Sequence, residues 1–181
     1  MGQPPSRREA TRPREEAAAA SGALRAVADQ YAERLQALLG WNLVSVVLYG
    51  SVARHEATPD SDVDLLVVGE NLPEGRFARL DLLEPAERAL DRDLVTLPQP
   101  GCRHAPGRHR AYAERGGAHG STLPGYGGDA VLLYDRGAFF SGILAHLRAR
   151  LRELGAERRQ RGKVRYWVLK PDAVPGEVIE L

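Results

Sequence analysis

Two aspartates, Asp62 and Asp64, stand one residue apart at the start of an apolar run. Side chains two residues apart on a strand point to the same face of a sheet, so the two carboxylates are expected to lie side by side. Neighbouring carboxylates raise each other's pKa unless a cation neutralises them. Because oxygen ligands of this kind select Mg²⁺ or Mn²⁺, the pair predicts a divalent-metal site.

A glycine and a serine, Gly50 and Ser51, stand where a predicted strand turns into a short helix. Glycine lets a ligand approach the backbone closely, and the N–H groups at the start of a helix bind phosphate. The Ser51 hydroxyl can donate a further hydrogen bond, and Arg54 follows one helical turn later, where it can pair with the same charge. These three residues are the predicted nucleotide-binding residues, although a glycine and a serine alone are also typical of an ordinary helix start.

The segment from Asp93 to Leu97 predicts a third strand. If that strand lies beside the one that carries Asp62 and Asp64, Asp93 adds a third carboxylate to the site, with Asp91 as the alternative. A phosphate-binding turn beside two or three carboxylates describes a two-metal site for phosphoryl or nucleotidyl transfer. One ion would hold a nucleoside triphosphate and the other an acceptor hydroxyl, with Asp93 as bridging ligand and general base.

The apolar pattern predicts the elements that position these residues. An amphipathic helix from Glu15 to Leu39 leads into a first strand over 43–49, and a second strand runs over 62–68. The other predicted elements are a helix over 71–90 that is kinked or divided at Pro85, a short strand or helix start over 130–134, an amphipathic helix over 139–155 and an extended tail from Val164. We therefore expect a disordered tail over 1–14, a main domain over 15–134 and a C-terminal extension over 135–181.

The segment from Pro98 to Gly128 differs in composition from the rest of the chain. It holds eight glycines, four prolines and three of the five histidines, and Leu123 is its only large aliphatic residue. The composition predicts an irregular loop, which is uncommon at this length inside a compact domain. Two interpretations stay open: a flexible excursion or lid, and a local shift of the reading frame.

Length, charge and cysteine content exclude several classes of protein. A chain of 181 residues is expected to hold one domain with a small appendage, and its net charge of +1 argues against a strongly cationic nucleic-acid-binding protein. The arginines between Arg148 and Arg161 are predicted to form a solvated helix face, with an acidic partner or RNA as the alternative. No apolar run is long enough to span a membrane, and a single cysteine, Cys102, favours a reducing, cytoplasmic setting.

The spacing of the candidate residues resembles a known signature. Gly50 and Ser51, followed after ten residues by Asp62-Val63-Asp64, are similar to the motif of the DNA polymerase beta-like nucleotidyltransferase superfamily. The spacing is that of its small members, the minimal nucleotidyltransferases, which are often encoded beside a HEPN-domain toxin. The resemblance covers roughly residues 43–97, and its third acidic residue corresponds to Asp93, which Arg92 precedes where the family has an apolar residue.

The resemblance implies an α/β (α+β) fold with a mixed sheet flanked by helices, two Mg²⁺ ions held by Asp62, Asp64 and Asp93, and ATP or another nucleoside triphosphate as donor. It also implies transfer of a nucleoside monophosphate to a hydroxyl. The acceptor would be a tyrosine of a HEPN-type toxin or, alternatively, a small molecule such as an aminoglycoside. A third alternative is a protein that neutralises a toxin by binding alone. A template polymerase or tRNA-end-adding enzyme is disfavoured, because these carry additional nucleic-acid-binding domains.

Overall fold

The structure, a computed structural model, describes residues 7–96, 109–115, 129–162, 164–174, 176–179 and 181. Its helices are α1 (Arg7–Leu39), α2 (Gly50–Ala53), α3 (Arg76–Thr96) and α4 (Phe139–Glu153). Its strands are β1 (Leu43–Tyr49), β2 (Val63–Gly69), β3 (His109–Arg115), β4 (Val131–Asp135), β5 (Glu157–Arg161) and β6 (Val164–Val168). Within these ranges we find no helix that combines the length and the apolar character needed to cross a membrane.

The main sheet has the strand order β3-β2-β1-β4. β1 is antiparallel to both of its neighbours, β2 and β4, whereas β2 is parallel to β3. The sheet is therefore mixed and is covered by helices, which confirms the predicted α+β class. β5 and β6 form a separate antiparallel pair, here called the C-terminal hairpin.

The two faces of the main sheet bury separate apolar clusters, which explains why β1 is central. Along β2, Val63, Leu65 and Val67 belong to one cluster and Leu66 and Val68 to the other, so the clusters lie on opposite faces. The first is completed by α1 and α3 through Tyr31, Leu35, Leu83 and Leu90, and the second by α4 through Phe140 and Leu144. Each fully buried side chain of this kind contributes about 1.5–3 kcal/mol.

Asp135, the last residue of β4, fixes the start of α4. Its carboxylate accepts hydrogen bonds from the amides of Phe140 (2.8 Å) and Ser141 (2.9 Å) and from the hydroxyl of Ser45 on β1 (2.7 Å). Amides in the first turn of a helix have no partner within the helix, so this carboxylate supplies one. Burial alone would raise the pKa of the Asp135 carboxyl, but the hydrogen bonds to its charged form outweigh burial and lower that pKa.

The end of α4 confirms the predicted stop at Gly155. This glycine has φ +64°, a backbone conformation that costs other residues energy. The amide of Gly155 donates to the carbonyl of Arg152 (3.1 Å), and that of Ala156 donates to the carbonyl of Leu151 (2.8 Å). This is the Schellman arrangement that closes many helices, and it places the arginines beyond Gly155 outside the helix.

Helix α1 begins earlier than predicted. It starts at Arg7, eight residues before Glu15, where the apolar periodicity begins. Arginine, glutamate and alanine favour helix without contributing an apolar face, so periodicity alone places the start too late. The disorder expected for residues 1–14 stays a prediction, and residues 1–6 lie outside the described residues.

The strand predicted over 93–97 is wrong. Residues 93–96 form the last turn of α3, which also runs through Pro85 as one helix. In the sequence, Leu83, Leu90 and Leu94 continue a helical spacing, and this outweighs the short Val-Thr pair that favours a strand.

The strand beside β2 comes instead from the segment expected to be an irregular loop. It is β3, and its register pairs Val63 with His109 and Asp64 with Arg110. Only Tyr112 in this strand has a strong strand preference, so propensity gave little sign of it. The rest of the loop prediction, over 97–108 and 116–128, lies outside the described residues.

The C-terminal extension is partly as predicted. The tail is extended over β6, but Arg158, Arg159 and Arg161 lie on β5 rather than on a helix, because α4 has already ended. Tyr166 on β6 is 43% exposed.

The capping role of Asp135 leads to a prediction about stability. We expect Asp135→Ala to lower the free energy of unfolding at pH 7 by about 1–2 kcal/mol, the usual cost of losing an N-terminal cap. Because the folded-state pKa of this carboxyl is lowered, its contribution is present above the ordinary value of 3.8 and is lost as the pH falls below it. Urea unfolding of both proteins followed by circular dichroism measures the difference at each pH.

The matched control is Asp81→Ala, which removes an exposed aspartate from α3. Its effect should be within about 0.5 kcal/mol, as for most surface substitutions. An Asp135→Ala difference of the same size at pH 3 and at pH 7 would contradict the assignment.

Candidate functional site

The predicted turn and the predicted carboxylates meet at one end of the main sheet. In the register of β1 and β2, Tyr49 lies opposite Asp64, and Gly50 is the next residue after Tyr49. β4 starts at the same end, because Leu48 pairs with Val131. We call this edge, where β1 ends and β2 and β4 begin, the Gly50 end of the sheet.

Gly50 and Asp64 are in direct contact. A Cβ atom placed on Gly50 would lie 2.2 Å from Oδ2 of Asp64 and 3.1 Å from its Cγ, so no side chain fits between them. Gly50 also has φ +74°, a left-handed conformation that favours glycine. Both the close approach and the backbone conformation therefore require glycine, and the carboxylate of Asp64 lies against the backbone of the turn.

Asp62 and Asp64 lie on the same side of their strand. Val63 between them is fully buried, whereas both aspartates are half-buried. Since side chains alternate along an extended chain, the two carboxylates lie together on the face opposite Val63, which is the face of Leu66 and Val68. Two half-buried carboxylates on one side of an extended segment are a donor set that fits Mg²⁺ or Mn²⁺.

The structure does not place Asp93 on the strand next to this pair. Asp93 lies in the last turn of α3, and the residue in register with Asp64 on the neighbouring strand is Arg110. Across the described part of the chain, no group of three or more His, Cys, Asp or Glu residues forms a metal-binding cluster. The expected strand position of Asp93 is thus wrong, and its role as a ligand stays a prediction.

The turn after Gly50 is closed by backbone hydrogen bonds. The Ser51 carbonyl accepts a bond from the amide of Glu56 (2.9 Å), which folds the chain back after the single turn of α2. The next residue, Ala57, is fully buried, and its amide donates to the Ser21 hydroxyl of α1 (3.1 Å). Helix α1 therefore holds the loop that leads from the turn to Asp62.

Arg54 binds Glu56, and Glu56 also binds Arg165, a contact that the sequence did not reveal. Its Nε donates to Oε2 of Glu56 (3.0 Å). The second carboxylate oxygen of Glu56 accepts a bond from Arg165 of the C-terminal hairpin. The bond from Arg165, followed by that from Arg54, lowers the pKa of the Glu56 carboxyl, so this carboxylate is the charged centre between two arginines.

A second ion pair joins the C-terminal hairpin to the same end of the sheet. Leu48 pairs with Val131 in the antiparallel register, so Gly50, two residues after Leu48, lies opposite Asp129, two residues before Val131. Arg158 binds the Asp129 carboxylate through both of its terminal nitrogens. The bond from Arg158 lowers the pKa of the Asp129 carboxyl, and the charges of Arg54 and Arg165 lower it further. All three guanidinium groups thus stabilise the charged form of the Asp129 carboxyl.

No sequence motif predicts the ion pairs of Glu56 with Arg165 and of Asp129 with Arg158. Glu56 and Arg165 are 109 residues apart, and Asp129 and Arg158 are 29 apart. In the sequence each of them is one charge among many, so only the fold reveals the partnership.

The arrangement has two neighbouring parts with opposite charge. Asp62 and Asp64 supply oxygen ligands for a cation, while the turn after Gly50 and the guanidinium of Arg54 supply donors for an anion. A metal-bound polyphosphate combines both charges. The arrangement therefore suits a ligand that brings a divalent cation and a polyphosphate together.

Comparison with known proteins supports this interpretation. The family model of the nucleotidyltransferase domain matches residues 28–103, which include the turn and both aspartates. A putative protein adenylyltransferase of Methanocaldococcus jannaschii is 40% identical over 57 residues, which are 32% of this chain and 39% of the relative. The match thus spans about two fifths of the relative's length.

Two solved structures are similar to parts of this chain. One is a putative nucleotidyltransferase from Sulfolobus solfataricus, with a TM-score of 0.45 and 19% identity, covering 75% of this chain and 93% of that one. The other is a toxin–antitoxin structure with AMP-PNP, with a TM-score of 0.38 and 16% identity, covering 67% of this chain and 93% of that one.

The family match and the contact between Gly50 and Asp64 involve the same stretch of chain. Over residues 28–103, the comparisons thus support a nucleotidyltransferase domain of the DNA polymerase beta-like superfamily.

Proposed function

We propose that this protein is a metal-dependent nucleotidyltransferase that moves AMP from ATP to a hydroxyl group of another protein. The observation that carries the proposal is the contact between Gly50 and Asp64. It joins a turn suited to phosphate and a carboxylate suited to Mg²⁺, and only glycine permits the approach.

In this proposal the donor nucleotide binds with its phosphates at the turn. Gly50 leaves the backbone open to the phosphates, and the hydroxyl of Ser51 donates a hydrogen bond to them. Arg54 binds Glu56 through Nε, and a guanidinium has five N–H groups, so its Nη side can pair with phosphate at the same time.

Asp62 and Asp64 would hold two Mg²⁺ ions, with Asp93 as the third ligand that we assign from the sequence. When bound, the ions supply charge neutralisation for the triphosphate and lower the pKa of the acceptor hydroxyl. The half-burial of both aspartates keeps their carboxylates reachable by the ions.

The proposed reaction is a single displacement at the α-phosphorus. The acceptor oxygen forms a bond to this phosphorus, the bond to the oxygen bridging the α- and β-phosphorus breaks, and pyrophosphate leaves. The hydroxyl proton passes to a carboxylate of the site, and Asp93 is the base that we propose. The chain's own contribution is mostly to position the groups and to balance charge.

The acceptor class is proposed from the relatives. The match to a putative protein adenylyltransferase supports a protein hydroxyl as acceptor. Within that class we propose a tyrosine of a HEPN-type toxin, as the minimal nucleotidyltransferase signature implies. The protein would then be the antitoxin that modifies it.

A second candidate function is neutralisation of a toxin by binding without catalysis. One observation favours it: the strand beside β2 carries Arg110, and not an acidic residue, in register with Asp64. A site with two carboxylates instead of three could retain the fold and lose turnover.

Incubation of the full chain with ATP labelled at the α-phosphate, Mg²⁺ and a panel of acceptors tests the proposal. The panel contains a HEPN-type protein encoded next to the gene, its variant with the tyrosine changed to phenylalanine, and an aminoglycoside. We expect label on the unaltered HEPN-type protein alone. Label on the aminoglycoside would assign a small-molecule acceptor, and inhibition of the toxin without any label would assign binding alone.

Substitution of the paired carboxylates should abolish transfer and preserve the fold. We expect Asp62→Asn and Asp64→Asn each to lower the rate of AMP transfer by about 100-fold or more, because charge stabilisation in the transition state is lost. Stability should be unchanged or slightly higher, since repulsion between the carboxylates is relieved. The labelled-ATP assay and thermal unfolding measure the two effects.

Asp60→Asn is the control, because it removes an exposed carboxylate just before the pair. Transfer by this variant should stay within about threefold of the wild type, the spread usual for a surface substitution. Equal losses in all three variants would count against a specific metal site.

The assignment of Asp93 can be separated from that of its neighbour. We expect Asp93→Asn to lower transfer by about 100-fold, as for loss of a ligand and base, and Asp91→Asn to leave it nearly unchanged. The same assay with Mg²⁺ or Mn²⁺ measures both. The reverse order would move the role to Asp91, and full activity in both variants would rule out a third ligand on this turn of α3.

Gly50→Ala tests the close approach to Asp64. The added Cβ would overlap Oδ2 of Asp64, so the carboxylate must move, and we expect loss of transfer together with destabilisation of about 1–3 kcal/mol. Gly75→Ala is the matched control, because Gly75 also has positive φ (+90°) but has open space around it. This control should lose stability and keep transfer activity. Normal activity in Gly50→Ala would contradict the proposed role of the contact.

A further inference from the structure

The two faces of the C-terminal hairpin differ in what they contact. In its register Arg158 pairs with Trp167 and Gln160 with Arg165, so these four side chains share one face. On that face Arg158 binds Asp129, Arg165 binds Glu56, and Trp167 lines a groove with Leu151 and Ala156. This inner face is therefore turned to the domain.

The outer face of the hairpin is turned away from the domain. Arg159 on that face binds Glu157 of the same strand at 2.8 Å, and its side chain is 51% exposed. The hairpin thus carries Arg165 on the face turned to the site and Arg159 on the face turned away from it.

The inner-face contacts reach the turn that we propose binds the phosphates. Glu56 follows Arg54 by two residues, and its two oxygens are divided between two arginines: Oε2 accepts from Arg54 and Oε1 from Arg165. The side chains of Arg54 and Arg165 are only 30% and 35% exposed. A carboxylate held on both sides has little freedom to turn, so the position of Arg54 depends on Arg165.

We propose that the C-terminal hairpin is part of the nucleotide site, with Arg165 as a positioning residue that fixes Glu56 and, through it, the phosphate-binding guanidinium of Arg54. This inference rests on the proposed function and extends the site beyond the family-matched residues 28–103. Arg158 anchors the same face of the hairpin to Asp129, beside Gly50, and so keeps Arg165 within reach of Glu56.

Charge balance explains why Arg165 matters for phosphate binding. With Arg165 present, Glu56 is neutralised when Arg54 turns its Nη groups to the phosphates. Without it, Glu56 has Arg54 as its remaining partner among these arginines and draws that guanidinium to itself. The lowered pKa of the Glu56 carboxyl keeps it charged at neutral pH, so this competition operates there.

The experiment measures binding of Mg²⁺·AMP-PNP and of adenosine to the full chain by isothermal titration calorimetry. We expect Arg165→Ala to raise the Kd for AMP-PNP about three- to thirtyfold and to leave the Kd for adenosine unchanged. In the transfer assay the KM for ATP should rise with little change in kcat. Arg165→Lys should recover part of the loss, and Arg159→Ala, on the outer face, should match the wild type.

A second measurement separates positioning from the simple loss of a positive charge. In a Glu56→Gln background the Arg165→Ala substitution should change the Kd for AMP-PNP by less than about twofold, because the connection through Glu56 is already broken. A loss of the same size in both backgrounds would show that Arg165 acts by its own charge, and would overturn the positioning role.

The remaining outcomes distinguish this inference from the function on which it rests. If the wild type binds AMP-PNP and Arg165→Ala binds equally well, the hairpin inference fails and the proposed function stands. If the wild type binds no Mg²⁺·AMP-PNP, both fail. Circular dichroism should show that Arg165→Ala is folded, since a part-exposed ion pair contributes at most about 1 kcal/mol to stability.

Discussion

The contact between Gly50 and Asp64 depends on the register of the whole sheet. Asp64 reaches the turn because it lies opposite Tyr49, and this pairing is fixed by apolar clusters on both faces of β1 and β2. A shift of one residue would exchange the two apolar clusters along β2 and turn the Asp64 carboxylate to the other face of the sheet. The core therefore determines the geometry of the site, and that geometry requires glycine at position 50.

Charges of opposite sign are separated over a short stretch at the Gly50 end of the sheet. Asp62 and Asp64 form one part, and the arginines bound to Glu56 and Asp129 form the other. Such a division suits a ligand that brings its own cation and anion together. The bond from Arg165 to Glu56 also connects the C-terminal hairpin, which follows α4, to a turn more than a hundred residues earlier in the chain.

The sequence predicted those parts of the site that depend on local pattern. The turn at Gly50 and the alternation around Val63 follow from neighbouring residues, and the structure has both. Strand β3 has weak local preference and is a strand because β2 offers it an open edge, so only tertiary pairing reveals it. Likewise, Arg165 could not be chosen among the many arginines until the fold brought it to Glu56. Asp93 was misplaced for the opposite reason, because a short local signal competed with a longer helical one.

Binding of Mn²⁺ to the full chain, followed by electron paramagnetic resonance, tests the central claim most directly. With AMP-PNP present, the wild type should bind Mn²⁺ tightly and saturably, and Asp64→Asn should lose that binding while Asp60→Asn keeps it. Equal Mn²⁺ binding by the wild type and Asp64→Asn would contradict the assignment of this carboxylate to a metal–nucleotide site.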